Sequence, residues 1–259
     1  MWLIERPCRD GLLVIEHSHE QNCQTMKLKR AISAIVLVST FAAPAAAGTF
    51  EEAVEAYARG DYAKALRLIR PLANDGNATA QFNLGVMYLT GRGVQQDYSA
   101  AALWLRRAAE QGYALAQSNL GTLYRDGRGV TQDHTEAVMW FRKAADQGDA
   151  VAEFLLGSQY ANGGGVPKDF SEAMIWFRRA AAQAHPIAML HLGAMYAEGR
   201  GVPQDYVRAH MWFSLAAARG QQIAVKTVEM AEQRMAPAQI TEAQKLAHEW
   251  KPAAQPPPR

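Results

Sequence analysis

Five of the seven histidines lie after residue 47, and they are the side chains best suited to bind a metal ion: His134, His185, His191, His210 and His248. Zinc needs three or four ligands that converge on one point. These histidines occupy unrelated positions in the sequence pattern, so we interpret them as single surface residues. The sequence also has no Gly-x-Ser-x-Gly, Ser-x-x-Lys, His-Glu-x-x-His or phosphate-loop motif. We therefore expect no catalytic residue, no metal site and no cofactor.

Four tryptophans have rings that could stack a ligand, but their spacing indicates another role. They recur every 36 residues, as Trp104, Trp140, Trp176 and Trp212. The same period holds for a Leu-Gly pair, a tyrosine and an aspartate, which first appear as Leu84-Gly85, Tyr88 and Asp97. A fixed period of this length indicates stacked units that bury their apolar faces against their neighbours. We interpret the tryptophans as core residues whose indole N–H groups bond loop carbonyls.

The first half of each unit has the pattern of a helix. Ala80, Leu84, Gly85 and Tyr88 lie at i, i+4, i+5 and i+8, which is one helical stripe. A glycine inside a helix costs about 1 kcal/mol relative to alanine, so its recurrence predicts a close approach of the paired helix. A Gly-x-Gly-Val loop follows from Gly91. We expect its glycine to end the helix and its valine to enter the core.

The second half of each unit begins at an aspartate, which is a good N-cap residue. Two of these aspartates have a glutamate three residues on, in the pairs Asp133…Glu136 and Asp169…Glu172, which predicts capping boxes. A glycine ends three of the second helices, whereas Ala184 stands there in the third unit. The second helices also carry basic pairs that we expect to be solvated: Arg106-Arg107, Arg142-Lys143 and Arg178-Arg179.

These patterns predict the domain organisation of the chain. Four helix–loop–helix repeats are expected over residues 77–112, 113–148, 149–184 and 185–220. Residues 48–76 are expected to form an N-terminal capping hairpin, and residues 221–250 two C-terminal capping helices, because the end faces of stacked repeats must be covered. Residues 251–259 form a proline-rich tail.

Residues 26–47 have the pattern of a secretory signal peptide. The basic segment Met26–Arg30 precedes the apolar segment Ala31–Phe41, and the small residues 45–47 favour cleavage between Ala47 and Gly48. We therefore predict a periplasmic or secreted protein with no membrane span after cleavage; an uncleaved anchor is the alternative. Residues 1–25, which contain both cysteines, are interpreted as a disordered start-site extension, with Met26 as the true start.

The charge of the remaining chain is nearly balanced. Five of the 27 Lys and Arg and four of the 25 Asp and Glu lie before residue 48, so residues 48–259 carry a net charge of +1. This balance argues against nucleic acid or an anionic membrane surface as the main partner. We expect a monomer whose partner is another protein or a peptide.

The repeating motifs are Ala-x-x-x-Leu-Gly-x-x-Tyr, Gly-x-Gly-Val, Asp-x-x-x-Ala-x-x-Trp and Ala-Ala-x-x-Gly. At a 36-residue period they resemble the Sel1-like repeat, a relative of the tetratricopeptide repeat, in four full copies. The resemblance implies an all-α fold, a right-handed α-solenoid whose first helices line a concave surface. It also implies a non-enzymatic adaptor that binds proteins or peptides. Some cysteine-rich relatives are associated with hydrolase activity or β-lactam binding, but this chain lacks their repeat cysteines, so an envelope hydrolase or β-lactam-binding protein is kept only as the alternative.

The first helices also carry positions that vary between repeats and lie roughly opposite the constant stripe. We expect these positions to line a protein-binding groove of the cell-envelope scaffold, with Asn83 and Asn119 bonding the backbone of an extended peptide. Ordinary solvent exposure is the alternative. The twelve predicted groove residues are Asn83, Val86, Thr90, Asn119, Thr122, Asp126, Leu155, Ser158, Asn162, His191, Ala194 and Glu198.

Overall fold

The computed structural model describes residues 44–252 of the 259-residue chain. The predicted start-site extension, most of the predicted signal peptide and residues 253–259 of the proline-rich tail lie outside the described residues.

The described residues form twelve α-helices and no strand. Four repeats of paired helices are preceded by one helical hairpin and followed by two further helices. The helices are α1 Pro44–Ala58, α2 Tyr62–Asn74, α3 Ala78–Thr90, α4 Tyr98–Glu110, α5 Ala114–Asp126, α6 His134–Asp146, α7 Ala150–Asn162, α8 Phe170–Ala182, α9 Pro186–Glu198, α10 Tyr206–Ala217, α11 Gln222–Glu232 and α12 Pro237–Glu249.

The chain divides into two compact units between Trp140 and Phe141, within α6. In the first unit each helix from α1 to α4 packs on the helix that follows it, and in the second unit the same holds from α7 to α10. Each unit has its own apolar core, built mainly from alanine, leucine and aromatic side chains of both helices of each pair. The predicted all-α solenoid fold is confirmed.

A backbone hydrogen bond closes the loop inside each repeat. In the first repeat Gly91 ends α3 at φ 69°, and the N–H of Asp97 donates to the carbonyl of Tyr88 at 3.0 Å. The Asp97 carboxylate accepts from two N–H groups of the first turn of α4, as expected of an N-cap. The N–H of Asp169 also donates to a tyrosine carbonyl, that of Tyr160 at 2.9 Å. The predicted capping boxes are therefore wrong in one of their two hydrogen bonds. The N-cap N–H donates to the tyrosine carbonyl instead of to the glutamate side chain.

The glycine inside the first helix is explained by close packing at Gly85, Gly157 and Gly193, as predicted. A Cβ atom at Gly193 would lie 2.5 Å from the Phe213 ring on α10, and one at Gly85 would lie 2.8 Å from Leu105 on α4. Both distances are well below van der Waals contact, so only hydrogen fits at these positions. The loop valines Val94, Val130 and Val202 are half-buried against the cores, which is also as predicted.

The recurring tryptophans belong to the core, but not through the hydrogen bond that we expected. Trp140 and Trp176 are 5% and 6% exposed, whereas Trp104 and Trp212 are half-buried. The buried Nε1 of Trp176 has no hydrogen-bond partner. The predicted bond to a loop carbonyl is therefore wrong for Trp176, which contributes apolar area instead.

The basic pairs on the second helices connect consecutive repeats. The first arginine of each pair donates to the tyrosine hydroxyl of the next first helix: Arg106 to Tyr124, Arg142 to Tyr160, and Arg178 to Tyr196 at 2.8 Å. The guanidinium of Arg107 lies 4.6 Å from the Trp104 ring centre. We predicted that these side chains are only solvated. Their contacts with tyrosine and tryptophan show that they also pack against aromatic residues.

The two ends of the described chain are capped by helices. At the N-terminal end α1 begins at Pro44, so the predicted cleavage after Ala47 lies within its first turn. At the C-terminal end α12 packs on α10, and the ring centres of Trp250 and Trp212 lie 6.0 Å apart. Residues 221–250, where two helices were predicted, contain α11 and α12.

Ala184 occupies a position at which glycine is favoured, and this leads to a stability prediction. Its φ is 63°, a left-handed conformation, and the equivalent Gly148 has φ 84°. An L-residue pays roughly 1–2 kcal/mol for this conformation. We expect Ala184→Gly to raise the free energy of unfolding by about 1 kcal/mol in urea titrations. Gly148→Ala is the matched reverse change, since a Cβ there has open space, and it should lower stability by a similar amount. Equal stability of Ala184→Gly and the wild type would contradict the strain.

Candidate functional site

The twelve predicted groove residues, which we call the first-helix surface, differ in exposure. Three are exposed, namely Asn162, His191 and Glu198. Three are buried, namely Asn83, Thr122 and Leu155. The other six are half-buried: Val86, Thr90, Asn119, Asp126, Ser158 and Ala194. The side chains most accessible to a partner therefore lie in the second unit.

In the first unit the polar groups of this surface bond largely to their own helices. Asn83 Nδ2 donates to the Thr79 carbonyl at 2.9 Å, and Asn119 Nδ2 donates to the Leu115 carbonyl at 2.7 Å. The hydroxyl of Thr122 likewise donates to the carbonyl one turn before it. Each asparagine thus has one amide hydrogen committed to its own helix, which leaves fewer groups for a peptide backbone.

In the second unit His191 belongs to a cluster of four rings, in which Phe177 is buried and His185 and Phe154 are half-buried. Only His191 was among the predicted groove residues. His191 stacks on Phe177 with ring centres 5.1 Å apart, and His185 stacks on Phe154 at 5.0 Å. Phe154 and Phe177 lie 5.8 Å apart and join the two stacks. The repeat register could have found this cluster, because Phe82 and Tyr113 are aromatic residues 72 positions before Phe154 and His185. In the structure the rings of Phe82 and Tyr113 also lie 5.0 Å apart. Aromatic rings in a partly open surface are typical binding anchors.

His185 has a second role, as the N-cap of α9. Its Nδ1 accepts from the N–H of Ala188 at 3.2 Å, so this nitrogen carries no proton. Burial lowers the pKa of His185 to about 4, and the neighbouring His191 adds to this shift. The protein packed around His191 lowers its pKa as well, although the ring itself is solvent-exposed. Both imidazoles are therefore neutral at physiological pH, and the cluster presents an uncharged aromatic surface.

The lowered pKa of His185 predicts a loss of stability in acid. The unfolded chain binds a proton near pH 6.5, whereas the folded chain binds it only near pH 4. The neutral His185 side chain therefore makes its full contribution to the free energy of unfolding above pH 6.5, and this contribution is lost as the pH falls towards 4. We expect the free energy of unfolding to fall by about 2 kcal/mol more in the wild type than in His185→Asn, measured by urea unfolding between pH 7 and 4.5. Asn77 caps α3 at the equivalent position, so the variant keeps a cap. Parallel pH profiles would refute the assignment.

A Ser–His–Glu chain of contacts lies at the end of the last repeat. His210 Nε2 lies 2.9 Å from Glu232 Oε1, and Ser214 Oγ lies 3.3 Å from His210 Nδ1. Since a carboxylate accepts, the proton belongs on Nε2, and Nδ1 accepts from the serine hydroxyl. His210 is 1% exposed, so its interpretation as a surface histidine is wrong.

The order of these groups is that of a hydrolase triad, but the surroundings are not. Ser214 lies within α10, where backbone N–H groups donate to carbonyls one turn back, so they cannot hold an oxyanion. Ser214 and Glu232 follow Arg178 and Tyr196 by 36 residues. The chain of contacts thus takes the place of the arginine–tyrosine bond between repeats, and we interpret it as structural.

No three His, Asp or Glu side chains of the described residues come close enough together to hold a metal ion. None of the helices between residues 44 and 252 is long and apolar enough to cross a bilayer.

Comparison with known proteins supports the repeat assignment. The model of the Sel1 repeat family matches four consecutive segments, residues 78–113, 114–149, 150–185 and 186–221, which together make up more than half of the chain. No functionally curated protein matches the chain.

Solved structures similar to the chain include two that are 30% identical or more. A Sel1 repeat protein from Oxalobacter formigenes is 34% identical, with a TM-score of 0.68, over 77% of this chain and 83% of that one. The protein c5321, a protective antigen present in uropathogenic Escherichia coli strains and displaying an SLR fold, is 30% identical with a TM-score of 0.53. That match covers 88% of this chain and 56% of c5321. With four matched repeats and a 34% identical relative covering most of both chains, the protein belongs to the Sel1 repeat family.

Proposed function

We propose that the protein is a non-catalytic scaffold of the cell envelope that binds a protein or peptide along the first-helix surface. Sel1 repeat proteins are generally protein-interaction scaffolds, which supports the general part of this proposal. The observation that carries the site is the contrast between constant buried positions and variable exposed ones on the same helices. Leu192 and Gly193 keep the repeat pattern and are buried, whereas His191 and Glu198 depart from it and are exposed.

The proposed site is centred on the second unit. There the exposed ring of His191 lies on Phe177, and the exposed side chains of Asn162 and Glu198 lie two turns further along α7 and α9. An extended peptide fits this arrangement, with an apolar side chain on the rings and polar groups towards the helix ends. The protein would act as a monomer that presents this surface.

Export is the second part of the proposal, and the signal pattern over residues 26–47 supports it. We propose cleavage between Ala47 and Gly48, which places the protein in the periplasm or outside the cell. N-terminal sequencing of the native protein by mass spectrometry should find Gly48 as the first residue. Peptides from residues 1–25 in that sample would contradict both the cleavage and the start at Met26.

The binding proposal is tested by in-cell crosslinking and affinity capture with three forms of the protein. The wild type is compared with His191→Ala/Asn162→Ala and with Glu242→Ala, a control on the exposed face of α12. We expect one partner to be captured by the wild type and the control but lost from the double variant. Identical captures by all three forms would place binding elsewhere and overturn the site.

The alternative, an envelope hydrolase or β-lactam-binding protein, has one observation in its favour, the Ser214–His210–Glu232 contacts. It predicts that Ser214 reacts with a fluorophosphonate probe and that peptidoglycan or β-lactams are turned over. We expect neither reaction. Labelling that is lost in Ser214→Ala would overturn the non-catalytic proposal.

A further inference from the structure

A second surface of the protein exposes large apolar side chains. Among residues 50–252 these are Leu103, Met139, Ile175, Ile223 and Val225, each 40–50% exposed. The first three occupy one repeat position, 36 residues apart, on the second helices α4, α6 and α8. Single exposed apolar residues are ordinary, but recurrence at one position of the repeat is not a random scatter. We call Leu103, Met139, Ile175 and the basic pairs that follow them the second-helix stripe.

The fourth repeat differs from the first three at this position, because its second helix carries a further helix. Met211 is in register with the stripe but is half-buried on α10, the helix on which α12 packs. The packed side of α12 is apolar: Ala243 is fully buried, and Leu246, Ala247 and Trp250 are partly buried. In the second unit, therefore, an amphipathic helix of the chain itself lies on the second helix of the last repeat.

The basic pair changes in the same repeat. Where Arg106-Arg107, Arg142-Lys143 and Arg178-Arg179 stand in the first three repeats, the fourth has Ser214-Leu215, and Leu215 is 6% exposed. The second helix that carries its own covering helix thus has no cation at these positions. The first three repeats keep cations at these positions. Arg106 and Arg178 donate to tyrosine hydroxyls, whereas Arg179 pairs with the Glu153 carboxylate.

We propose that the second-helix stripe binds an amphipathic α-helix of a partner protein whose apolar residues are flanked by Asp or Glu. The apolar side of this helix covers Leu103, Met139 or Ile175, as α12 covers α10, and its carboxylates face the arginine pairs. We expect micromolar affinity, because one exposed apolar side chain on each second helix offers only a small contact. Leu103 and Met139 lie in the first unit and Ile175 in the second, so each unit carries a separate binding position.

The test uses two synthetic peptides with the apolar positions of residues 237–250. One peptide carries Glu at the remaining positions and the other carries Lys. Binding to the purified protein is measured by fluorescence anisotropy for the wild type, for Leu103→Gln/Ile175→Gln, and for His191→Gln as a control on the first-helix surface. We expect the glutamate peptide to bind the wild type and the control alike, and to bind the double variant at least tenfold more weakly. The lysine peptide should bind none of them.

Equal binding of the two peptides, or equal binding of the glutamate peptide to wild type and double variant, would overturn the proposal. A third arm distinguishes a membrane from a helix. If phosphatidylglycerol vesicles sediment the wild type and not the double variant, while the glutamate peptide does not bind, the stripe is a membrane surface and the proposal is wrong. Since the stripe and the first-helix surface carry separate variants, failure of one proposal leaves the other intact.

Discussion

Replacing Gly193 by leucine is expected to lower the free energy of unfolding by about 3 kcal/mol or more. A Cβ at this position would lie 2.5 Å from the Phe213 ring, which cannot bend away as an aliphatic chain end can. The new side chain must push α9 and α10 apart and open the core of the second unit, where Phe213 is 4% exposed. Urea unfolding followed by circular dichroism measures the loss.

Two controls separate this packing effect from a general effect of leucine. Leucine at Gln244, which is exposed on α12, should change stability by less than about 0.5 kcal/mol. In the milder variant Gly193→Ala, the new Cβ would meet the Phe213 ring, and the second change Phe213→Ala removes that ring. We therefore expect the double variant to lose less stability than the sum of the two single losses. If the losses of Gly193→Ala and Phe213→Ala simply add, the two residues do not interact and the packing explanation fails.

Replacing Arg179 by methionine is expected to cost about 2–3 kcal/mol at pH 7, because it leaves a buried carboxylate without its cation. Glu153 is 2% exposed, and its Oε1 accepts from Arg179 Nε at 2.9 Å. Gln183 donates to the other carboxylate oxygen at 2.9 Å. The Arg179 side chain is 43% exposed, so solvent screens the pair and the cost lies below that of a fully buried ion pair.

The double variant Glu153→Gln/Arg179→Met should recover most of the loss. Glutamine stands at the equivalent position of the first repeat, where Gln81 Nε2 donates to the Ala73 carbonyl at 3.1 Å. A double variant as unstable as Arg179→Met would show that Arg179 acts through its contact with Trp176, at 4.5 Å, rather than through Glu153.

The pH dependence of this pair supplies an independent check. Burial raises the pKa of Glu153 more than Arg179 and Gln183 lower it. A carboxyl whose pKa is raised by folding stabilises the folded state at low pH, and this contribution is lost as the pH rises through the folded pKa. Arg179→Met removes a cation that lowers the pKa of Glu153. The stability of the variant relative to the wild type should therefore rise as the pH falls from 7 to 5. A constant difference across this range would contradict the prediction.

The sequence by itself determined the repeat and the helices. Ala80, Leu84 and Tyr88 are spaced for one side of a helix, and a helix forms from contacts three and four residues apart, so this pattern is visible without the fold. Gly85 was predicted to contact a neighbouring helix closely, because a glycine inside a helix is unfavourable relative to alanine and only close packing offsets that cost. The Asp97 cap is a local interaction of the same kind. The exact 36-residue period then implied that each pair stacks on the next.

The candidate site was less accessible to such reasoning. The first-helix surface was derived from a helical angle alone, and the structure buries Asn83, Thr122 and Leu155 while it leaves His191 exposed. The helical angle places a side chain on one side of its own helix, but its exposure depends on how closely the neighbouring helices pack around it. The ring cluster around Phe154 and Phe177 was missed for the same reason, since its members come from three helices.

Contacts between repeats were decided only by the tertiary structure. Arg178 and Tyr196 are 18 residues apart, and His210 and Glu232 are 22 apart, so no local pattern connects them. Leu103 and Leu105 show the limit most clearly: both are leucines of α4, yet one is 50% exposed and the other fully buried. The sequence shows a residue's type and its position on its own helix, whereas its solvent exposure depends on which other helix packs over it. In this protein α12 covers α10 and leaves the apolar side chain of Ile175 on α8 open.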